Sequence, residues 1–449
     1  MKSLLLLICL FAVTTITRAD LPQPDPDNGG LTLPPGFHAL VVADNLGPLR
    51  FITVAPNGDI YIKKLDEEDV TKSNQGLVAL HDSKGDGRAD VVQTFCSSGP
   101  FSGGGTGCCV HNGYLYFSTN DAVYRYKLTP GKLVPTGDPE PIVIGLPPGQ
   151  QEHEAKAFAF DGSGNLFVEV GCPSNGSGDP DRGYGAKGVD PTELFKQHGG
   201  FWRFKADVPN QDQVANGYHF STGLRHVISV AWNEVSKSFF VVMNGRDQLS
   251  GVDPKDYTDE DNAEIPAEEM HLLQKGSNFG WPFTYWDPLK KARMISPEFG
   301  GDNKKTDDSH KYPDPLVAFP AHWAPLQMTF YTGTQFPEKY RNGAFIAFHG
   351  SWNRAPLPQA GYKIAYAPFD EKGMPLGTYE TFADNFSGKQ VLMSPRRARY
   401  RPCGVAQGPD GSLYVTDTEK GRVWRIIYTG ESTDTSSPPS PPIPAKTSS

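Results

Sequence analysis

The cations of this chain fall at places where chemistry could gather. Lys63 and Lys64 end one apolar run, and His153 precedes another. Arg225 and His226 precede a third. His349, Trp352 and Arg354 follow a fourth, and Arg399 and Arg401 precede a fifth. Each cation alone also reads as a solvated loop charge. As a set in an acidic protein they lay out a site for a small polyanion. His153 is a candidate general base, because imidazole accepts a proton near neutral pH. Asn244-Gly245-Arg246-Asp247 ends a strand-like run, and its glycine exposes carbonyl oxygens of the kind a hard cation such as Ca²⁺ accepts. Asp82-Ser83-Lys84-Gly85-Asp86-Gly87 has the look of a calcium loop, but Lys84 sits at a ligand position, so a turn is expected.

The elements that must position these groups are short strands. Pro56-Asn57-Gly58-Asp59-Ile60-Tyr61-Ile62 returns in variant form at 111–117, 162–168 and 409–415. A glycine turn feeding a β-branched or aromatic run is a hairpin signal, and its return at intervals of tens of residues signals stacked units. Six units can be written, which predicts an all-β, six-bladed β-propeller over 34–430. Phe37–Val42 reads as a lone early strand that completes the last blade and closes the ring. The insert at about 250–325 holds the one stretch that reads as helix, near Ala267–Gln274. In a propeller the loops of one face converge on the axis, and the site belongs there.

Of 449 residues, 48 are Gly and 40 Pro, which suits a turn-rich β fold. Net charge −9 argues against nucleic acid or an anionic membrane as a main partner. Residues 1–19 read as a secretory signal, with Lys2, an apolar run Leu4–Val13 and a small-residue cleavage site. No other apolar run is long enough for a membrane span. A secreted protein is expected (periplasmic in a bacterium). Residues 20–33 read as extended, and 431–449 as a disordered Ser/Thr/Pro tail. Cys96, Cys108, Cys109, Cys172 and Cys403 remain after the signal, an odd number. Cys108-Cys109 reads either as a vicinal disulfide or as two strand residues on opposite faces. Asn175-Gly176-Ser177 and Asn385-Phe386-Ser387 are glycosylation acceptors in a eukaryotic host.

Gly223-Leu224-Arg225-His226, Asn278-Phe279-Gly280-Trp281-Pro282, His349-Gly350-Ser351-Trp352-Asn353-Arg354, and Arg401-Pro402 with Gly408-Pro409-Asp410-Gly411 resemble the soluble PQQ-dependent sugar dehydrogenases. Sorbosone dehydrogenase and fungal pyranose dehydrogenase are the most similar branch. The resemblance implies a quinoprotein that oxidises an aldose, osone or related pyranose and passes electrons to a cytochrome or partner redox enzyme. It implies PQQ and Ca²⁺ as cofactors. His153 then matches the catalytic base and Arg225 the group that polarises the quinone oxygen. Gly245 and Arg246 match the calcium carbonyls. Arg399 and Arg401 match a carboxylate-binding pair, and Lys64, His226, His349 and Trp352 further cofactor contacts. Where the glucose dehydrogenase branch orients its histidine with a carboxylate, this chain places Cys172, leaving Glu152 or Glu154 as stand-ins. A calcium-dependent lactonase-type hydrolase and a non-catalytic glycan- or protein-binding propeller are the alternatives, because a propeller does not dictate activity.

Overall fold

Inner strands begin the pattern. In the computed structural model, which describes residues 21–65, 75–101, 103–148 and 152–430, Leu49–Val54 pairs with Ile60–Lys64, then Gly76–His81, then Val91–Phe95. The connecting turn uses Gly58 at φ 90, a conformation open to glycine at no steric cost. The same antiparallel meander recurs five more times, so the chain is the expected six-bladed propeller. Blades stack face to face, which is why Ile60–Lys64 and Ala344–Phe348 are buried at every residue. Gln327, on the inner strand of blade 5, accepts from Ile52 N and Val405 N (both 3.0 Å) and donates to Ile52 O (2.9 Å). One side chain thus ties the inner strands of blades 5, 1 and 6.

The early strand does close the ring. Phe37–Ala43 is the fourth strand of blade 6, with Phe37 opposite Tyr428 and Leu40 opposite Arg425. Residues 21–36 are not simply extended: Asn28–Gly30 forms a 3₁₀ turn, and the fully buried Trp424 donates to the Gly29 carbonyl (3.1 Å). Phe37 meets Phe336, Phe382 and Tyr340 edge-on at 4.8, 5.0 and 5.3 Å.

The helix expected near Ala267–Gln274 is instead the strand Glu268–Leu273, third of blade 4, with His271 opposite Val241. Its run is buried on both faces, so it lacks the alternation that marks a half-exposed strand. Glu269 stays charged there because His271 Nε2 (3.1 Å) and Arg293 Nη2 (3.0 Å) contact the carboxylate. The helices of the insert are short and lie earlier, at Leu249–Val252 and Asp259–Glu264; the second starts with a Thr258/Asp261 capping box. Asp82 accepts from the amides of Gly85, Asp86 and Gly87, which makes its loop a turn as expected. All five described cysteines are free, so Cys108 and Cys109 form no disulfide with each other. Among the described residues no helix is long and apolar enough to cross a membrane. The stretches expected to be a signal sequence and a disordered Ser/Thr/Pro tail lie outside the described residues.

Phe37→Ala should cost about 3–5 kcal/mol, the usual penalty for emptying an aromatic site. Chemical denaturation measures it, and a loss under about 1 kcal/mol would contradict closure through this strand.

Candidate active site

At one face emerge the loops that join each blade's outer strand to the next inner strand, together with the loops between each blade's middle strands. His153 lies on the segment entering blade 3, at φ 58. Gly171 sits behind it. A Cβ there would stand 2.5 Å from the His153 carbonyl oxygen, so only glycine lets the two segments approach. Nδ1 of His153 lies 2.5 Å from the Cys172 carbonyl oxygen. A carbonyl only accepts, so Nδ1 carries the proton and Nε2 keeps its lone pair. The orienting group for His153 is thus the backbone carbonyl of Cys172 and no side-chain carboxylate. Its thiol is turned to the Leu224 carbonyl (3.7 Å), and burial pushes its pKa well up. Glu152 Oε2 stands 3.9 Å from Nε2, but the carboxylate is committed to Arg182, which donates through Nε and Nη2 at 3.0 and 2.9 Å.

Burial first, then the charges of Arg225 and His226, push the His153 pKa well below 6.5. The imidazole is therefore neutral at neutral pH. The His226 ring lies against it, centroids 4.6 Å apart. Behind His226 is the buried Glu169, with Oε1 3.6 Å from Nδ1. His226 Nδ1 and Glu169 Oε2 are both buried without a hydrogen-bond partner.

Arg225 is held from two sides. Nη1 donates to the Gly245 carbonyl and Nη2 to Asp247 Oδ2, both at 2.9 Å, while its buried Nε has no partner. Asp247 also receives Asn353 Nδ2 at 2.6 Å and faces His322 Nδ1 at 3.4 Å. Burial opposes its charge, but Arg225, His322 and Arg182 outweigh that and hold the carboxyl well below the usual range. The Asp247 backbone exchanges two 2.9 Å hydrogen bonds with the Asn175 side chain, which is fully buried. The acceptor expected at Asn175 is thus closed in the folded protein, whereas Asn385 is exposed. Glu268 accepts from Gly245 N (2.7 Å) and Ala324 N (3.0 Å), and burial raises its pKa to about 7.

These groups line two adjoining cavities that share His153 and His226. One, about 420 Å³, is walled by Arg182, Arg225, Gly245, Asp247 and Trp352. The other, about 700 Å³, is walled by Arg50, Gln75, Asn120 and the Gly103–Gly105 run. Of the residues expected from sequence, His153, Arg225, His226, Gly245 and Trp352 are brought together. The Arg246 backbone, whose carbonyl is the expected donor, lies between Gly245 and Asp247 in the wall, while Lys64, His349, Arg399 and Arg401 do not line these cavities. Arg246 is buried in an ion pair with Glu298, reached by Nη2 at 2.7 Å. Arg401 donates to the carbonyls of His349 and Gly350, and His349 contacts Thr418, so these two cluster between blades 5 and 6, where the charge of Arg50, a wall of the larger cavity, bears on both. Arg399 is exposed over Tyr400, and Lys64 is buried at its strand end, its charge disfavoured by burial. Arg354 is spent on the Ala263 carbonyl and Glu264. Sequence reasoning missed Arg182, Asp247, Glu268, His322 and Glu169. Nothing in their spacing marks them, because the partners that hold them lie more than 20 positions away, several in other blades. Among the described residues no group of three or more His, Cys, Asp or Glu could hold a metal ion by itself.

The TrAA12-like family model matches residues 31–429, so the chain belongs to that family. A pyrroloquinoline quinone-dependent pyranose dehydrogenase of Coprinopsis cinerea is 31% identical over 189 residues, 36% of this chain and 25% of that protein. An uncharacterized protein of Borreliella burgdorferi is 30% identical over 207 residues, 46% and 48% of the two chains. The matches thus span half or less of these relatives' length. A Trichoderma reesei Carbohydrate-Active Enzymes Family AA12 structure superposes with TM-score 0.70 at 19% identity, covering 89% of this chain and 97% of that one. The holo PQQ domain of the Coprinopsis cinerea pyranose dehydrogenase gives 0.68 at 20%, covering 88% and 97%. These likenesses show the same fold.

Asp247→Asn should destabilise the protein by about 3–5 kcal/mol, because it leaves the buried Arg225 without its counter-charge. The unfolding midpoint reads this directly, and an unchanged midpoint would show the pair to be dispensable.

Proposed function

We propose that this chain is an exported PQQ-dependent sugar dehydrogenase that oxidises an aldose, osone or related pyranose and hands the electrons to an external acceptor. The observation that carries the proposal is a neutral histidine with a free Nε2, set beside a buried arginine at the meeting of two cavities. The family match and the named activity of the Coprinopsis cinerea relative support it. The residues present also fit the cofactor. Arg225 Nε and His226 Nδ1 are buried polar atoms without partners, and Arg50 and Arg182 add positive charge to the walls. The Gly103–Gly105 run projects no side chain into the larger cavity, which suits a flat ring system.

Bound there, PQQ supplies the two-electron acceptor for the hydride of the sugar carbon. The chain's own residues do the rest. His153 Nε2 takes the hydroxyl proton, and the imidazolium so formed keeps its Nδ1–H on the Cys172 carbonyl. Its charge is favoured by the Cys172 carbonyl and by the nearby Asp247 carboxylate. Asp247 and the Gly245 carbonyl fix the Arg225 guanidinium, so it stabilises negative charge without reorganising. Trp352, exposed at the rim, offers an apolar face to a sugar ring.

Calcium enters this proposal with the cofactor. The carbonyls of Gly245 and Arg246 are the expected donors, and the first already accepts from Arg225. The chain alone therefore offers too few oxygens for a six- to eight-fold shell, and cofactor carboxylates and water would complete it. A Trichoderma reesei Family AA12 structure described as a calcium structure, TM-score 0.70 at 18% identity over 92% of this chain and 99% of that one, supports the assignment. A lactonase-type metal site is disfavoured, because Glu152, Asp247 and Glu268 are all engaged with donors of the fold.

The test is reconstitution of the purified protein with PQQ, with and without Ca²⁺, followed by dye reduction with a panel of sugars. Saturable PQQ uptake and sugar-dependent reduction are expected; no uptake in either condition would overturn the proposal. His153→Gln should lower kcat by about 10²–10⁴-fold with PQQ uptake unchanged. The acid limb of kcat/KM should fall well below pH 6.5, since a depressed pKa keeps the base unprotonated to lower pH.

A further inference from the structure

Electrons released in the site have to leave through the face on which the cavities open, and that face is electrically lopsided. The segment joining blades 5 and 6 is basic. Residues 384–401 contain Lys389, Arg396, Arg397, Arg399 and Arg401 against a single acid, Asp384, in a chain of net charge −9. Arg401 serves the fold, but Lys389, Arg396, Arg397 and Arg399 are exposed. Between them Val391 and Met393 stand out into solvent, 64% and 59% exposed. Gln359 N donates to the Leu392 carbonyl (2.7 Å), and the Gln359 side chain accepts from Ser351 Oγ (2.8 Å). These bonds pin the strip to the blade 5 loop that carries Trp352, itself 54% exposed at the cavity rim. Across the same face, the blade 4 loop is of opposite sign: residues 250–264 hold six acidic residues against Lys255.

Exposed Trp, Met and Arg clustered at one spot are the composition of a protein interface centre rather than of ordinary surface. The sign of the charge selects the partner. An acidic surface is attracted to the blade 5–6 strip and repelled by the blade 4 loop, which fixes its orientation over the cavity. We propose that the strip of Lys389, Val391, Met393, Arg396, Arg397 and Arg399, with Trp352, docks an acidic redox protein that accepts the electrons. This rests on the dehydrogenase reading above. Each sugar oxidised leaves two electrons and two protons; two one-electron acceptors take the electrons in turn, and the protons pass to water.

The experiment uses the PQQ-loaded protein reduced by sugar. It is mixed in a stopped-flow instrument with a high-potential cytochrome of net negative charge, or with one of net positive charge, at low and moderate salt. The Arg396→Glu/Arg397→Glu variant is run beside the wild type, with a small neutral dye as control. The negative cytochrome should be reduced faster than the positive one, and added salt should slow it. The variant should lose tenfold or more of that rate at low salt, within the range electrostatic steering contributes, with dye reduction and unfolding midpoint unchanged. A variant rate equal to wild type, or a preference for the positive cytochrome, overturns the docking proposal while leaving the dehydrogenase reading intact. Absence of dye reduction by the wild type overturns the dehydrogenase reading and the electron-accepting role with it. Sedimentation of the negative cytochrome with the protein then shows whether the strip binds acidic protein at all.

Discussion

A single carboxylate, largely withdrawn from water, organises the active face. Asp247 gathers Arg225, Arg182, His322 and Asn353, while its backbone is locked to Asn175. These partners come from blades 3, 4 and 5 and from the loops between them. A buried carboxylate without partners would take up a proton or drag water inward. Satisfied from several blades at once, it fixes their loops relative to each other. The propeller supplies only approximate convergence at the axis; this hub turns it into a defined geometry.

The hub also decides what the neighbouring histidine can do. Held against Asp247, the Arg225 guanidinium stays charged although burial disfavours it. Its charge in turn helps keep His153 neutral. A cation that suppresses protonation beside a backbone carbonyl that fixes the tautomer yields a base poised for proton abstraction without a partner carboxylate. In place of a charged orienting group, the site uses a carbonyl made available by the turn at Gly171 and Cys172.

Much of the architecture was legible in the chain. Repeated hairpin phrases encode the blades because each is a local contact, and Phe37–Val42 announced the closure because an isolated apolar run needs a sheet to join. His153, Arg225 and His226 were found by their position before inner strands, a property of topology that sequence carries. What was not legible depends on partners far away in the chain. Arg225, Arg246, Arg354 and Arg401 look alike in sequence, yet one faces a cavity and three are spent on carbonyls or buried carboxylates. Glu268–Leu273 was misread as helix because a strand buried on both faces loses its alternation, and its acids draw partners such as Gly245 and Arg293 from more than 20 positions away.

Nitrogen-15 NMR of the histidines, with His153 assigned by its Gln variant, tests the central claim most directly. The account requires His153 to be neutral and protonated at Nδ1 throughout the neutral range, titrating well below 6.5, and to shift upward in Arg225→Met. An imidazolium at pH 7, or a neutral ring protonated at Nε2, would contradict it.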